Sequence, residues 1–354
     1  MSTTRRVLIM AGGTGGHVFP ALAVAGELRR RGVEVVWMGT RAGLEARLVP
    51  AAGYPIEWIS VSGLRRKGVL SWLMAPVRVG RALYEARLAL QRVNPDVVLG
   101  MGGFVTGPGG VMAWMLGKKL VIHEQNSIAG LTNRVLSRVA NQVLTGFPDT
   151  FPEQVNAVVT GNPIRPEIAA LASREVPRNP WRVLVLGGSQ GAAALNSLVP
   201  GAVADLPAHL CPEIWHQTGE RDQESTRIAY QAEGVTARVV PFITDMAGAY
   251  HWADLVICRS GALTVAEVAA AGVAALLVPY PHAVDDHQTH NAQLLVDAEA
   301  ALLLPQSTLT RKLLKEMLRS FAEHPERLQI MGRAARTVAL PHATQAVVER
   351  LIAA

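Results

Sequence analysis

The sequence predicts an α/β protein built as two Rossmann-like halves, each a doubly wound parallel sheet. Its 354 residues exceed one typical domain and suit two of about 150–180 residues. The two halves open alike. Val7-Leu8-Ile9-Met10-Ala11 runs into the glycine turn Gly12 to Gly16, and Val183-Leu184-Val185-Leu186 runs into Gly187-Gly188-Ser189-Gln190-Gly191, 183 − 7 = 176 positions later. Short apolar runs alternate with helical stretches in both halves, the pattern of βαβ units with ligands at the carboxyl ends of the strands.

In order, the first strand and its turn lead into a helix from His17 to Arg31, with Gly32 past its end. A second strand spans Val33 to Met38. Asp96 to Gly100 precedes a glycine-rich turn from Met101 to Gly110, and Leu120 to Ile122 ends on the polar run His123-Glu124-Gln125-Asn126. Pro163, Pro166, Pro177 and Pro180 then punctuate a stretch of weak periodicity, which places a hinge near Asn162 to Pro166. The expected division is an N-terminal domain over 1–162, a C-terminal domain over 163–340, and a last helix over 341–354 that returns to the first. In the second half, Asp254 to Cys258 precedes Arg259-Ser260-Gly261 and a helix through Glu267 and Ala271. A cleft between two such domains is the default active site.

Composition excludes several classes. With 49% hydrophobic and 18% charged residues, the chain is neither disordered nor low-complexity. Two cysteines, Cys211 and Cys258, rule against a disulfide framework or a cysteine-based zinc site and fit a reducing cytoplasm. The apolar run after Arg5 and Arg6 stops at Gly12, too short for a signal peptide, and the uncharged stretch Met101 to Gly117 is too short and glycine-rich to span a bilayer. The net charge of +6 is localised: Arg65, Arg66, Lys67, Arg78, Arg81, Arg87 and Arg92 against Glu85 make 7 − 1 = +6 between Ser60 and Arg92.

Glycine-rich strand-to-helix turns let backbone amides approach a phosphate, helped by the positive end of the helix dipole. Neither nucleotide fingerprint is present. The dinucleotide pattern requires a small residue where Val18 stands, and the second strand ends on Gly39-Thr40 without an acid for a ribose. No Lys-Ser or Lys-Thr follows either turn, so the P-loop fails too. A diphosphate ligand held in some other way is what remains.

Gly12-Gly13-Thr14-Gly15-Gly16-His17, Met101 to Gly110, His123-Glu124-Gln125-Asn126, Gly161-Asn162-Pro163-Ile164-Arg165, Gly187 to Gly191 and Cys258-Arg259-Ser260-Gly261-Ala262-Leu263-Thr264 together resemble the MurG family of bacterial N-acetylglucosaminyltransferases. The resemblance runs from about Val7 to about Pro341 in order and spacing. It implies a GT-B fold, two Rossmann-like domains facing across a cleft, the first for the acceptor and the second for the UDP-sugar. It also implies an inverting transfer from UDP-N-acetylglucosamine to the muramyl 4-hydroxyl of undecaprenyl-pyrophosphoryl-MurNAc-pentapeptide, lipid I to lipid II, in peptidoglycan synthesis, with no obligatory cofactor or metal. One departure is Arg66, where the family usually has glycine.

His17, at the start of its helix, suits a general base for a sugar hydroxyl, because the dipole there favours neutral imidazole; donation to an acceptor phosphate or a capping role stays open. The resemblance sets Gly13, His17, Gly102, Gly103, Gly109 and Gly110 around the acceptor. Thr14, Gly15 and Gly16 share in cradling its pyrophosphate and lie within reach of the UDP-sugar, and Asn126 contacts the donor sugar. In the second half, Ser189 meets the UDP phosphates at a helix start, Arg165 in the hinge reaches donor phosphate or uracil, and the Ile243 backbone pairs with uracil while its side chain packs. Ala262, Leu263, Thr264, Val265, Ala266 and Glu267 open a helix toward the nucleotide. Glu267 accepts ribose hydroxyls, being the only acid between Arg259 and Asp285. Gln288 meets the hydroxyls of the transferred sugar. The His and Asp cluster from His282 to Asn291 also admits a metal-site reading.

Leu64, Val69, Leu70, Trp72, Leu73, Met74 and Val77 intersperse the basic patch, a composition suited to an anionic membrane surface and equally to a core-facing helix with a solvated basic face. Peripheral attachment at the cytoplasmic face of the inner membrane is the expectation. Nucleic acid is not expected, since no recognition motif accompanies the charge. The rivals are a UDP-N-acetylglucosamine 2-epimerase, which needs no lipid acceptor, and a non-catalytic peripheral membrane binding protein.

Overall fold

The structure, a computed structural model, describes residues 5–61, 74–172, 178–188 and 192–354. It separates into two compact units: one of Met1–Arg165 with His342–Ala354, the other of Pro166–Pro341. The division falls after Arg165, three residues beyond the expected boundary at 162 and inside the expected hinge segment.

Among the described residues the first unit contains β1 (Arg6–Met10), α1 (Gly15–Arg30), β2 (Glu34–Gly39), α2 (Glu45–Ala51), β3 (Ile56–Trp58), α3 (Ala75–Val93), β4 (Val97–Gly100), α4 (Thr106–Met115), β5 (Lys119–Glu124), α5 (Leu131–Leu136), β6 (Gln142–Thr145) and β7 (Val158–Val159). The strands form one sheet in the order β3-β2-β1-β4-β5-β6-β7, all pairs parallel. The alternation within β1 explains how one apolar run serves two cores. Val7 and Ile9 join the core under α1, while Leu8 and Met10 join the core under α3, α4 and α5. The helix Ala343–Ala353 belongs to this unit, and its Val347, Val348 and Leu351 complete the α1-side core.

The second unit contains α6 (Pro166–Ala169), β8 (Arg182–Leu186), α7 (Ala193–Ala204), β9 (Glu213–Gln217), α8 (Gln223–Ala232), β10 (Ala237–Val240), α9 (Met246–Trp252), β11 (Leu255–Cys258), α10 (Ala262–Ala271), β12 (Ala274–Leu277), α11 (His287–Asp297), β13 (Ala301–Leu303), α12 (Arg311–Glu323) and α13 (Glu326–Thr337). Its parallel sheet runs β10-β9-β8-β11-β12-β13. Gly272, left-handed at φ +64°, stops α10, and Thr310 caps α12 by accepting from the Leu313 amide. A buried polar knot braces β9: His216 bonds Tyr230 Oη at 2.9 Å and Asn196 Oδ1 at 3.1 Å. Burial pushes the His216 imidazole down to about 3 and holds it neutral.

In both sheets the strand order reverses beside the first strand, between β1 and β4 and between β8 and β11. Chains leaving such a pair turn to opposite faces and open a crevice at the carboxyl ends, where an α/β sheet takes its ligand.

Glu45, which the sequence reading passed over, secures the first of these turns. Its carboxylate is fully buried and accepts from the Gly13 amide at 2.9 Å, the Thr40 amide at 2.9 Å and the Thr40 hydroxyl at 2.7 Å. Gly12, Gly39 and Gly43 leave room for it, since a Cβ on any of them would fall within 2.0–2.8 Å of the Glu45 side chain. Glu45→Ala should therefore strip two backbone amides of their partner and cost about 2–5 kcal/mol. Urea denaturation checks this, and an unchanged midpoint would contradict it.

Candidate functional site

In the first unit the carboxyl ends of β1, β4 and β5 gather the polar groups. His17 lies in the first turn of α1, half-buried, with Thr14, the residue before the helix, accepting from the His17 and Val18 amides. Its Nδ1 is 3.1 Å from Gln125 Oε1. Gln125 follows β5 and is buried, as are His123 and Glu124 at the strand's end. The polar run at 123–126 thus turns into the protein rather than out of it. His123 Nε2 donates to the Gly161 carbonyl at 2.9 Å, and the Asn162 amide group donates to the Gln125 carbonyl at 3.0 Å. Burial pushes the His123 imidazole down to about 4, against weaker upward effects from the Gly161 bond and the Glu124 charge.

Glu124 organises the following loop. Its carboxylate accepts from the Asn126 amide at 3.0 Å, Asn126 Nδ2 at 3.2 Å, the Gly130 amide at 3.1 Å and Asn133 Nδ2 at 2.8 Å. Asn126 is thereby fixed at the loop's start.

The glycines divide into two kinds. Gly102 (φ +98°) packs its backbone on the His17 ring, where a Cβ would come 2.5 Å from Nδ1, and Gly103 (φ +84°) packs on Gly12, where a Cβ would come 2.3 Å from the carbonyl oxygen. These two shape the turn. Gly109 and Gly110 do not, which corrects the expectation that they face the acceptor. They lie inside α4, buried, where a Cβ would strike Met10 Sδ at 2.3 Å and Leu136 Cδ1 at 2.6 Å, and the Gly109 amide is committed to Val105. The Gly13 amide donates to Glu45, so that amide is committed within the protein. Gly13, Thr14 and Gly16 are nonetheless exposed at the head of α1. Arg165 closes the unit over Phe19 of α1, its guanidinium 5.8 Å from the ring centre.

In the second unit the switch point lies at Gly187-Gly188 and at Arg259-Ser260-Gly261. Ser189 lies outside the described residues. Arg259 crosses the strand ends, donating to the Val278 carbonyl at 3.1 Å, the Pro279 carbonyl at 3.0 Å and Gln306 Oε1 at 2.7 Å. Asn291 of α11 is buried and donates to the Ser260 carbonyl at 3.3 Å. Ala262, Leu263 and Thr264 form the first turn of α10, whose amides an α-helix leaves without helical partners. Val265 belongs to the helix proper, its amide bonded to the Gly261 carbonyl at 3.0 Å and its side chain in the core, so the amide row expected over 262–267 ends before it; Ala266 follows it within the helix.

Glu267 is nearly buried on α10 and accepts from the Tyr250 hydroxyl at 3.2 Å. Burial and the Glu267 charge push the Cys258 thiol up to about 12, which leaves that cysteine an inert core residue. Ile243, in the loop from β10 to α9, has a buried side chain. Gln288, in the first turn of α11, uses Oε1 to accept from the Tyr280 amide at 2.8 Å, so its Nε2 donors are the part turned to other partners. Between His282 and Asn291, His287 bonds the Val284 carbonyl and Asp286 accepts from the Thr289 hydroxyl, and among the described residues no three His, Cys, Asp or Glu side chains converge as metal ligands.

The residues that sequence reasoning missed are Glu45, Arg259, Asn291, Tyr250 and the inward role of His123 and Gln125. Arg259 and the last had a signal, polar residues directly after a buried strand.

Known proteins give this geometry its context. Residues 7–145 match the glycosyltransferase family 28 N-terminal domain and residues 182–347 match the glycosyltransferase family 28 C-terminal domain. The chain is 56% identical over 352 residues to the UDP-N-acetylglucosamine--N-acetylmuramyl-(pentapeptide) pyrophosphoryl-undecaprenol N-acetylglucosamine transferase of Nitrosococcus oceani, covering 98% of both chains. It is 56% identical to the protein of the same name from Methylococcus capsulatus, covering 97% of both. The crystal structure of Acinetobacter baumannii MurG matches with a TM-score of 0.83 at 43% identity, over 99% of this chain and 100% of that one. A UDP-N-acetylglucosamine 2-epimerase structure matches with a TM-score of 0.67 at 13% identity, a likeness of fold alone. The chain belongs to glycosyltransferase family 28, with the paired Rossmann-like units of a GT-B enzyme.

Proposed function

We infer that this chain is the hexosyltransferase that moves N-acetylglucosamine from UDP-N-acetylglucosamine to the muramyl 4-hydroxyl of undecaprenyl-pyrophosphoryl-MurNAc-pentapeptide, the step from lipid I to lipid II in peptidoglycan synthesis. The observation that carries this is the end-to-end identity of 56% to transferases named for that donor and acceptor. The epimerase reading has only the shared fold behind it.

The chemistry follows from residues of each unit. His17 takes the proton of the attacking hydroxyl as that oxygen bonds the anomeric carbon, and the bond from this carbon to the UDP oxygen breaks with inversion. The amides of Thr14, Gly15 and Gly16 at the head of α1 face anionic groups. UDP departs with its charge met by the first-turn amides of α10 and by Arg165. Glu267 holds the ribose hydroxyls, Ile243 the uracil edge, and Gln288 donates through Nε2 to hydroxyls of the transferred sugar; Asn126 is assigned to the donor sugar as well. No metal enters the scheme.

The attachment proposed for the enzyme is peripheral, at an anionic membrane surface on the cytoplasmic side. Among the described residues no helix is long and apolar enough to cross a membrane. The start of α3 instead exposes Met74, Val77, Val79 and Tyr84 beside Arg78 and Arg81, and the neighbouring α4 and α5 expose Trp114, Met115, Leu131 and Val135. Arg92 of the basic patch pairs with Glu57 at 2.5 Å, an acid outside the window over which the charge was counted, so the apolar part carries more of the attraction than that count implied. The segment from Leu64 to Leu73, with Arg65, Arg66 and Lys67, lies outside the described residues.

Three outcomes are expected. Incubated with labelled UDP-N-acetylglucosamine and lipid I in the presence of EDTA, the chain should form lipid II and no UDP-N-acetylmannosamine, and His17→Ala should lower turnover on the order of 10²–10⁴-fold; near-normal turnover by that variant would remove the base assignment. Glu267→Gln keeps the bond from Tyr250 but loses the charge, and should raise the KM for UDP-N-acetylglucosamine on the order of tenfold; an unchanged KM would sink the ribose role. Co-sedimentation should require anionic vesicles and weaken in the V77E variant, whereas binding indifferent to lipid charge would contradict the attachment proposed.

A further inference from the structure

A family 28 base must present a bare ring nitrogen to a hydroxyl, yet imidazole has two nitrogens and only one is bare when neutral. The hydrogen bonds behind His17 decide between them, and the choice propagates from two backbone carbonyls that can only accept. At the far end His123 Nε2 lies 2.9 Å from the Gly161 carbonyl, so the proton of neutral His123 sits on Nε2 and its Nδ1 is bare. Gln125 Nε2 lies 3.2 Å from that Nδ1 and 3.2 Å from the His123 carbonyl. Both are acceptors, so the amide nitrogen belongs there and the amide oxygen must face away, toward His17. Oxygen accepts; hence His17 Nδ1, at 3.1 Å, is the nitrogen that carries the proton.

We propose that Gln125 and His123 are positioning residues that hold His17 in the tautomer with its proton on Nδ1 and its lone pair on Nε2. The proposal rests on the reading of His17 as base. Neither residue touches substrate in this scheme; they act through the imidazole. Gly102 packs on the same ring, and any side chain there would collide with Nδ1. Asn162, donating to the Gln125 carbonyl at 3.0 Å, anchors the backbone from which the amide reaches out. His123 itself stays neutral, pushed down to about 4 by burial, so the relay keeps its polarity through the working range of pH.

The tautomer is directly observable. In the intact protein labelled with ¹⁵N-histidine, at about pH 8, above the ordinary histidine range, two-bond ¹H–¹⁵N correlations should show His17 with a protonated Nδ1 and a bare Nε2. The His17→Ala variant assigns the signals. Q125L, of similar volume but without hydrogen bonds, should move His17 toward the Nε2–H form and lower kcat on the order of 10²-fold, with the KM for UDP-N-acetylglucosamine unchanged. A native His17 carrying its proton on Nε2 would overturn the proposal, as would a folded Q125L with full kcat. The native spectrum decides even if Q125L does not fold. It also stands apart from the base assignment: an active His17→Ala removes the base while leaving the tautomer result intact.

Discussion

Every interior strand of both sheets is covered on both faces, and that constraint orders the rest of the molecule. A strand so enclosed is apolar over its buried length, as Val7–Met10, Val97–Leu99, Val183–Leu186 and Leu255–Cys258 show, and β9 carries the buried His216 only because Tyr230 and Asn196 satisfy both its ring nitrogens. Polar chemistry is therefore pushed to the carboxyl ends, where the chain leaves the sheet. The reversal of strand order beside β1 and β8 opens those ends, and the first residues beyond them become the candidate site.

What the strand ends do with polar groups differs between the units. In the first, β5 carries its apolar run straight into buried His123, Glu124 and Gln125. Burying such groups is tolerable only when each finds partners, and here the partners are the elements that must be aligned: α1 through His17, the loop at 126–133 through Glu124, and the end of the unit through Gly161 and Asn162. In the second, Arg259 and Asn291 perform the corresponding alignment, tying the turn after β11 to the loops after β12 and β13. A buried polar network is thus the price of a polar site at the end of an apolar strand. The same network lets the protein dictate the proton position on a histidine it otherwise leaves accessible.

Much of this was legible in the residues. The apolar runs at 7–11, 97–100, 183–186 and 255–258 read as buried parallel strands because each is short and bounded by turn residues, and the glycines after them marked the strand ends. Periodicity could not reveal which glycines shape a turn and which pack a helix. Gly102 and Gly109 look alike in sequence, yet one has a left-handed backbone beside His17 and the other sits inside α4 against Met10. Nor could it show that Glu45, an ordinary acid in an ordinary helix, sits under the first turn, because that contact joins positions 32 apart. Arg92 counted as part of a basic patch until β3 brought Glu57 against it. In each case the missing information was a tertiary contact, which local pattern does not encode.

The central claim is that His17 Nε2 receives the proton of the acceptor hydroxyl. A crystal structure of the chain with UDP-N-acetylglucosamine and a muramyl-pyrophosphate analogue of the acceptor tests it most directly. The account predicts the muramyl 4-hydroxyl within hydrogen-bond distance of Nε2, with Nδ1 still on Gln125. A His17 ring turned to the acceptor pyrophosphate, or one that offers Nδ1 to the hydroxyl, would contradict it.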